Sequence, residues 1–244
     1  MCRCARIGRP QPGSHAVNTE RLQQFLDTAP WMEGLSPEQC ERVRREVFTR
    51  EFDSGATVCA RGAPALHWVG VVEGMLKVET ITASGKSASF IGVPAGAWVG
   101  EGSAIKGELR PYDVVAIRDS TVAFMPRSTF LWLMKDSHAF SFWLISQLNA
   151  RLGHFIAMVQ SLRLNDTRAQ VAYCLASLFN RDLYPTTTAQ LAISQEEIGR
   201  LSGVSRQIAN RVLHELQDQG IIRIGYGSIE VVDLGALQEI AAGK

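Results

Sequence analysis

The stretch LAISQEEIGRLSGVSRQIANRVLHEL, residues 191–216, decides how the rest of the chain is read. Ser194 followed three residues later by Glu197 has the form of an S-x-x-E capping box, which predicts the start of a short helix, and Gly203 is expected to end it. Ser205 then caps a second helix. At helical spacing this helix turns Ile208, Val212, Leu213 and Leu216 inward and leaves Arg206, Gln207, Asn210 and Arg211 facing out. Two short helices about a glycine-containing turn make a helix-turn-helix, whose second helix offers its N-terminal side chains to the major groove. The outward set suits base edges, because Arg pairs bidentately with guanine while Gln and Asn pair with adenine. The helix starts at Ser194 and Ser205 also present backbone N–H groups to phosphate. Past Gly220, the run IIRI-GYG-SIEVV (221–232) reads as a β-hairpin, a wing beside the two helices.

Bulk charge does not by itself point to nucleic acid. The 244-residue chain carries a net charge of +1, so the placement of individual side chains has to carry the case for DNA. Apolar residues make up 46% of the chain, yet no apolar run approaches the roughly 18 residues of a membrane-spanning helix. Residues 1–18 hold Arg3, Arg6 and Arg9 without the apolar core of a signal peptide, so they are expected to form a disordered arm, and the protein is expected in the cytoplasm with no membrane partner. The five cysteines are too scattered for a disulfide framework or a metal cage; Cys2 and Cys4 alone supply only half a ligand set.

Upstream of residue 191 the texture changes twice. Residues 19–50 place Leu22, Phe25, Leu26, Val43 and Val47 at helical spacing, with Ser36-Pro37-Glu38 as a helix start. From Phe52 to about Pro126, short β-prone runs (57–59, 68–72, 76–81) alternate with glycines, the pattern of an all-β sandwich or barrel. Between Phe140 and Leu162 the period becomes helical. Ile145, Leu148, Leu152, Phe155, Val159 and Leu162 recur at steps of three and four, as in a parallel dimer seam. Phe140, Trp143, Leu144 and Ile156 widen the apolar face and would equally suit a helix packed on its own domain. Asp166 is a candidate N-cap for a further helix reaching about Asn180, with Val171, Cys174, Leu175 and Leu178 inside. The expected fold is α+β: a roll at 19–136, double-stranded β-helix or jelly-roll-like, a dimerisation helix at 137–164, and a winged helix-turn-helix at 165–244.

The helix-turn-helix run, together with FDSGATVCARGAP (52–64), VEGMLKV (72–78) and WVGEGS (98–103), resembles the Crp/Fnr superfamily of regulators over residues 20 to 235. The resemblance implies a homodimer, a cyclic-nucleotide-binding-like β-roll as sensor, promoters with two-fold symmetric sites, and RNA polymerase as a further partner. It carries DNA contact to Arg206, Gln207 and Arg211, with Asn210 also at a contacting position. The family often has Glu where Gln207 stands, and Gln favours adenine where Glu accepts from cytosine, so a divergent half-site is expected.

In the family's pocket a Gly-Glu pair holds the ribose and an Arg-Ser pair the cyclic phosphate. Gly100 and Glu101, within the run Gly100-Glu101-Gly102-Ser103, match the first pair; Arg110 matches the Arg, but Pro111 follows it and lacks both a hydroxyl and an N–H. The helix positions aligned with the base contacts are Phe155 and Ile156, which cannot hydrogen-bond through their side chains. Cyclic AMP is therefore not the expected effector, and the effector stays open. Glu101 and Arg110 read equally as ligand groups or as an internal ion pair. The four-cysteine pattern of an iron-sulfur sensor is absent, and His67, His138 and His154 read as packing or surface residues rather than haem ligands. No catalytic motif is present: no G-x-S-x-G, P-loop or H-E-x-x-H. A second reading stays open, in which the roll is a regulatory module acting on a protein partner and the C-terminal helices are its docking face.

Overall fold

A computed structural model describes residues 14–81, 87–164, 166–185 and 188–243. Most of the expected arm, with Cys2 and Cys4, lies outside the described residues, as does Asn165. The helix expected from residue 19 starts earlier: α1 spans Ser14–Asp27. A 3-10 turn at Pro30–Met32 leads to α2 (Pro37–Glu46), where Ser36 and Gln39 close a reciprocal capping box and Pro37 sits at the first turn.

Eight strands follow: β1 (Phe48–Phe52), β2 (Thr57–Cys59), β3 (His67–Glu73), β4 (Met75–Ile81), β5 (Ser87–Pro94), β6 (Trp98–Val99), β7 (Asp113–Ala116) and β8 (Ser120–Pro126). They form two four-stranded sheets, ordered β1-β8-β3-β6 and β2-β7-β4-β5, with antiparallel pairing throughout. The inner faces meet through Val69, Val71, Leu76, Val78, Val93 and Val122, small branched side chains suited to a two-layer core. A short helix, α3 (Glu101–Lys106), interrupts the roll between β6 and β7.

Two helices close the end of the roll, α4 (Arg127–Asp136) and the 27-residue α5 (His138–Leu164). The first turns of α5 are anchored in an aromatic cluster. Phe140 is fully buried and meets Trp31 and Trp68 edge-on, at centroid distances of 5.6 and 6.0 Å, a geometry favoured by ring quadrupoles. Leu144 and the half-buried Trp143 join them. Own-domain packing therefore accounts for Phe140, Trp143 and Leu144, but not for Ile156, which is 61% exposed.

The C-terminal unit comprises α6 (Thr167–Ser177), β9 (Gln190–Leu191), α7 (Gln195–Ser202), α8 (Arg206–Asp218), β10 (Ile222–Gly225), β11 (Ser228–Val231) and α9 (Leu234–Ala241). Asp166 caps α6 by accepting from the N–H groups of Arg168 and Ala169. The helix ends at Ser177, three residues short of the expected Asn180, because the backbone tightens there into i→i+3 bonds such as Phe179 N–H to Ala176 O. Val171, Cys174, Leu175 and Leu178 are all buried in one core with Ile198, Val212, Leu213 and Leu216. Truncation of Phe140 to Ala empties the junction of roll and long helix; a loss of about 3–5 kcal/mol is expected, read as a lower urea midpoint with an unchanged slope.

Candidate nucleic-acid interface and sensory pocket

Both caps of the helix-turn-helix form. Ser194 Oγ accepts from the Glu197 N–H at 3.2 Å, and Ser205 Oγ from the Ile208 N–H at 3.3 Å. Gly203 at the C-cap of α7 has φ of 71°, a left-handed conformation that suits glycine, and its N–H closes the helix onto Arg200 O. The reciprocal half of the expected capping box is not made. The Glu197 carboxylate turns away from Ser194, to Lys77 Nζ at 3.2 Å and to Arg200 at 2.6 Å.

Arg206, Gln207 and Arg211 are exposed along the N-terminal half of α8. Arg206 and Arg211 have only loose acidic neighbours, Glu196 at 3.9 Å and Glu215 at 3.7 Å. Such exposed pairs are worth about 0–1 kcal/mol, so a phosphate or a guanine edge can displace them. Asn210 departs from the expectation of an outward residue: it is half-buried, and its Oδ1 is shut from solvent without a hydrogen-bond partner. At helical spacing it sits beside the buried Ala209 and Leu213 rather than in the middle of the polar face. The hairpin of β10 and β11 is antiparallel and carries Tyr226, fully exposed, at its turn.

In the roll, Gly100 adopts φ of 91°, and a Cβ there would stand 2.7 Å from Arg110 Nη1, so both backbone and space call for glycine. Glu101 and Ser103 on α3 are buried and Gly102 is exposed. Arg110 is buried, donates to His67 O at 2.7 Å, and leaves Nη1 without a partner. The internal ion pair expected as one reading of Glu101 and Arg110 is not the one that forms. Glu101 pairs instead with Arg151 of α5, Nε to Oε1 at 2.7 Å, and Arg151 also donates to Trp98 O. Burial works against charge on Arg151, but the Glu101 carboxylate together with Tyr184 and Tyr112 outweighs it and holds the guanidinium pKa above its usual value. Phe155 and Ile156, four and five residues after Arg151, are exposed. Burial pushes the His67 imidazole down, and its ring packs edge-on against Phe48 and Phe124, a packing role.

The residues expected as a dimer seam, Ile145, Leu148, Leu152, Phe155, Val159 and Leu162, are all exposed, Ile145 at 63% and Leu152 at 58%.

A family model for the cyclic nucleotide-binding domain matches residues 49–137, and one for the Crp-like helix-turn-helix domain matches residues 169–240. The chain belongs to the Crp/Fnr superfamily. This member is 26% identical over 215 residues to a cyclic AMP receptor protein of Thermus thermophilus, covering 88% of this chain and 98% of that one. It is 25% identical over 200 residues to the transcriptional regulator SdrP of the same species, covering 80% and 95%. The fold matches that of FixK2 from Bradyrhizobium japonicum with a TM-score of 0.67 at 20% identity, covering 79% of this chain and 96% of that one. The second of these relatives is named a transcriptional regulator. Among the described residues of this Crp/Fnr member, no helix is long and apolar enough to cross a membrane.

Three residues central to the pocket and to the joint between roll and C-terminal unit escape a sequence reading. Arg151 sits in a helix whose apolar seam dominates the pattern. Lys77 and Glu79 look like the outward positions of an alternating strand, yet both are buried, with Lys77 Nζ 3.1 Å from Glu79 and 3.2 Å from Glu197 of α7. The only trace in the sequence is that residues 77 and 79 share a strand face with opposite charges. Replacing Arg151 by Met strands the Glu101 carboxylate in the interior; a cost of about 3–5 kcal/mol is expected. Adding Glu101→Gln should restore most of it. Equal losses in the single and double variants, measured by denaturant unfolding, would mean that the pair does not hold the helix.

Proposed function

We propose that this protein is a homodimeric, DNA-binding transcription regulator that acts on two-fold symmetric promoter sites, with a roll that does not respond to cyclic AMP. The observation that carries the DNA reading is the exposure of Arg206, Gln207 and Arg211 on the N-terminal half of a helix capped by Ser205, free of any strong internal partner. Arg206 and Arg211 take guanine or phosphate, Gln207 takes adenine, and the N–H groups behind Ser194 and Ser205 take phosphate. Asn210 contributes by reaching the backbone or an adenine edge once its Oδ1 is uncovered. The unit 165–244 thus reads DNA, 137–164 joins the two copies, 19–136 senses, and the protein works in the cytoplasm with RNA polymerase.

The exposed apolar stripe of α5 supports a second copy as its cover, since its spacing of three and four is that of a coiled-coil seam. Against cyclic AMP stand Pro111 beside Arg110, the apolar Phe155 and Ile156 at the base positions, and Arg151 already holding the Glu101 carboxylate. The residues around Gly100, Glu101, Gly102, Ser103 and Arg110 would serve a different effector or none. A role confined to docking a protein partner is less well supported, because the exposed set on α8 is polar and cationic rather than apolar.

Selection from randomised duplexes should return a two-fold symmetric site whose half-site differs from the superfamily's best-known one. The triple change Arg206→Ala, Gln207→Ala, Arg211→Ala should remove specific binding, at about 1–3 kcal/mol for each side chain that reads a base. Retention of the selected site's affinity by that variant would refute the DNA reading. Leu152→Glu should convert a dimer to a monomer in sedimentation equilibrium, and millimolar cyclic AMP should shift neither duplex affinity nor melting temperature; a rise in either would overturn that part.

A further inference from the structure

A cavity of about 220 Å³ lies where the roll, the long helix and the C-terminal unit meet; Glu101, Arg110 and Arg151 do not line it, although Tyr184 of its wall neighbours Arg151. Its walls come from β5, the last turns of α5, α6 and the end of α7. We infer that this cavity binds a small uncharged aromatic molecule carrying one hydrogen-bonding group, of the size of a substituted phenol.

An apolar cavity of about 150 Å³ suffices to hold benzene, so this one has room for a ring with a substituent. Phe90, Met158, Leu162, Leu178 and Leu201 supply an apolar lining, and no Asp, Glu, Lys or Arg lines the cavity among the described residues. A carboxylate or phosphate would find no cation in the wall, the nearby Arg151 being already paired with Glu101, at a cost that disfavours a nucleotide in this place. The imidazole of His154 in the wall is biased toward its neutral form: burial and then the nearby Arg151 push its pKa below the usual value. His154 and Tyr173 stack with centroids 5.5 Å apart, and the Tyr173 hydroxyl lies 2.9 Å from His154 Nδ1. Together they give the wall a flat aromatic face against which a ring can pack.

The wall also holds an unpaired polar atom. Ser161 lines the cavity, is 9% exposed, and its Oγ has no hydrogen-bond partner. A buried hydroxyl left unpaired is unfavourable, and a ligand hydroxyl meeting it would satisfy both groups. Position gives the site its consequence. β5 belongs to the roll while α6 and α7 belong to the C-terminal unit, so an occupant touches both and favours the arrangement in which α7 lies on the roll.

Titration calorimetry on the full chain with p-cresol, toluene and benzoate tests this without reference to DNA binding. We expect p-cresol to saturate one site per chain at millimolar concentration or below, with toluene weaker by about 2–13-fold, the worth of one hydrogen bond. Benzoate should not bind. Ser161→Ala should weaken p-cresol by the same factor and leave toluene unchanged. Met158→Trp, which fills the space from α5, should abolish binding of both while circular dichroism stays native. Absence of p-cresol binding by the unaltered chain, tighter binding of benzoate than of p-cresol, or p-cresol binding unaffected by a natively folded Met158→Trp would each overturn the proposal. So would p-cresol binding that is lost only when Glu101 is changed to Gln.

Discussion

The buried contact between Arg151 and Glu101 sets the position of the long helix on the roll. Charges of this kind are costly to take out of water, and the pair persists only because each supplies the other's counter-charge at 2.7 Å. The contact links α5 to α3, the short helix that interrupts the roll, while Phe140 and Leu144 seat the start of α5 among the indoles of Trp31 and Trp68. Apolar packing at one end and an ion pair further along hold the helix at two points. Its rotation about its own axis is then defined, and with it the direction in which the exposed stripe from Ile145 to Leu162 points.

The same ion pair changes what the roll's pocket can do. Where the superfamily's pattern leaves a glutamate free for a ligand, here a guanidinium from the helix occupies it. Arg110, without a neighbouring hydroxyl, bonds the carbonyl of His67 and keeps one nitrogen unpaired. The chain thus makes internally, between roll and helix, a link of the sort that a bound ligand could make. That link couples the roll to its helix within the chain itself.

The C-terminal unit is attached to the roll by more than the covalent link after α5. Leu183 and Tyr184 pack into the roll's own core, and the Tyr184 hydroxyl donates to Gly92 O at 3.1 Å. Gly92 is tightly surrounded: a Cβ there would fall 2.8 Å from Met75 and 2.9 Å from Leu178. Beside it the Lys77, Glu79 and Glu197 cluster closes over the seam between β4 and α7. A joint made of a few apolar contacts and one shielded charge cluster can hold a single arrangement firmly and still offer a second when a ligand or a partner changes the balance.

Much of the architecture was legible in the residues alone. Caps at Ser36, Asp166, Ser194 and Ser205 act within one helical turn, the wing turn lies inside a dozen residues, and the seam of α5 is a periodicity, so each is written in neighbouring positions. The exposed Arg206, Gln207 and Arg211 follow from the same local spacing. Tertiary structure decided the rest. Glu197 has the spacing of a capping box, yet its carboxylate serves Lys77, 120 residues away. Asn210 has the spacing of an outward residue, yet neighbouring side chains cover its Oδ1. Glu101 finds its cation in α5 rather than in the arginine nine residues on. Short-range patterns determine which segments form and which faces they bury, because their energies come from groups already adjacent in the chain. The partner of a buried charge, and the cavity left where three elements meet, exist only once those elements are brought together.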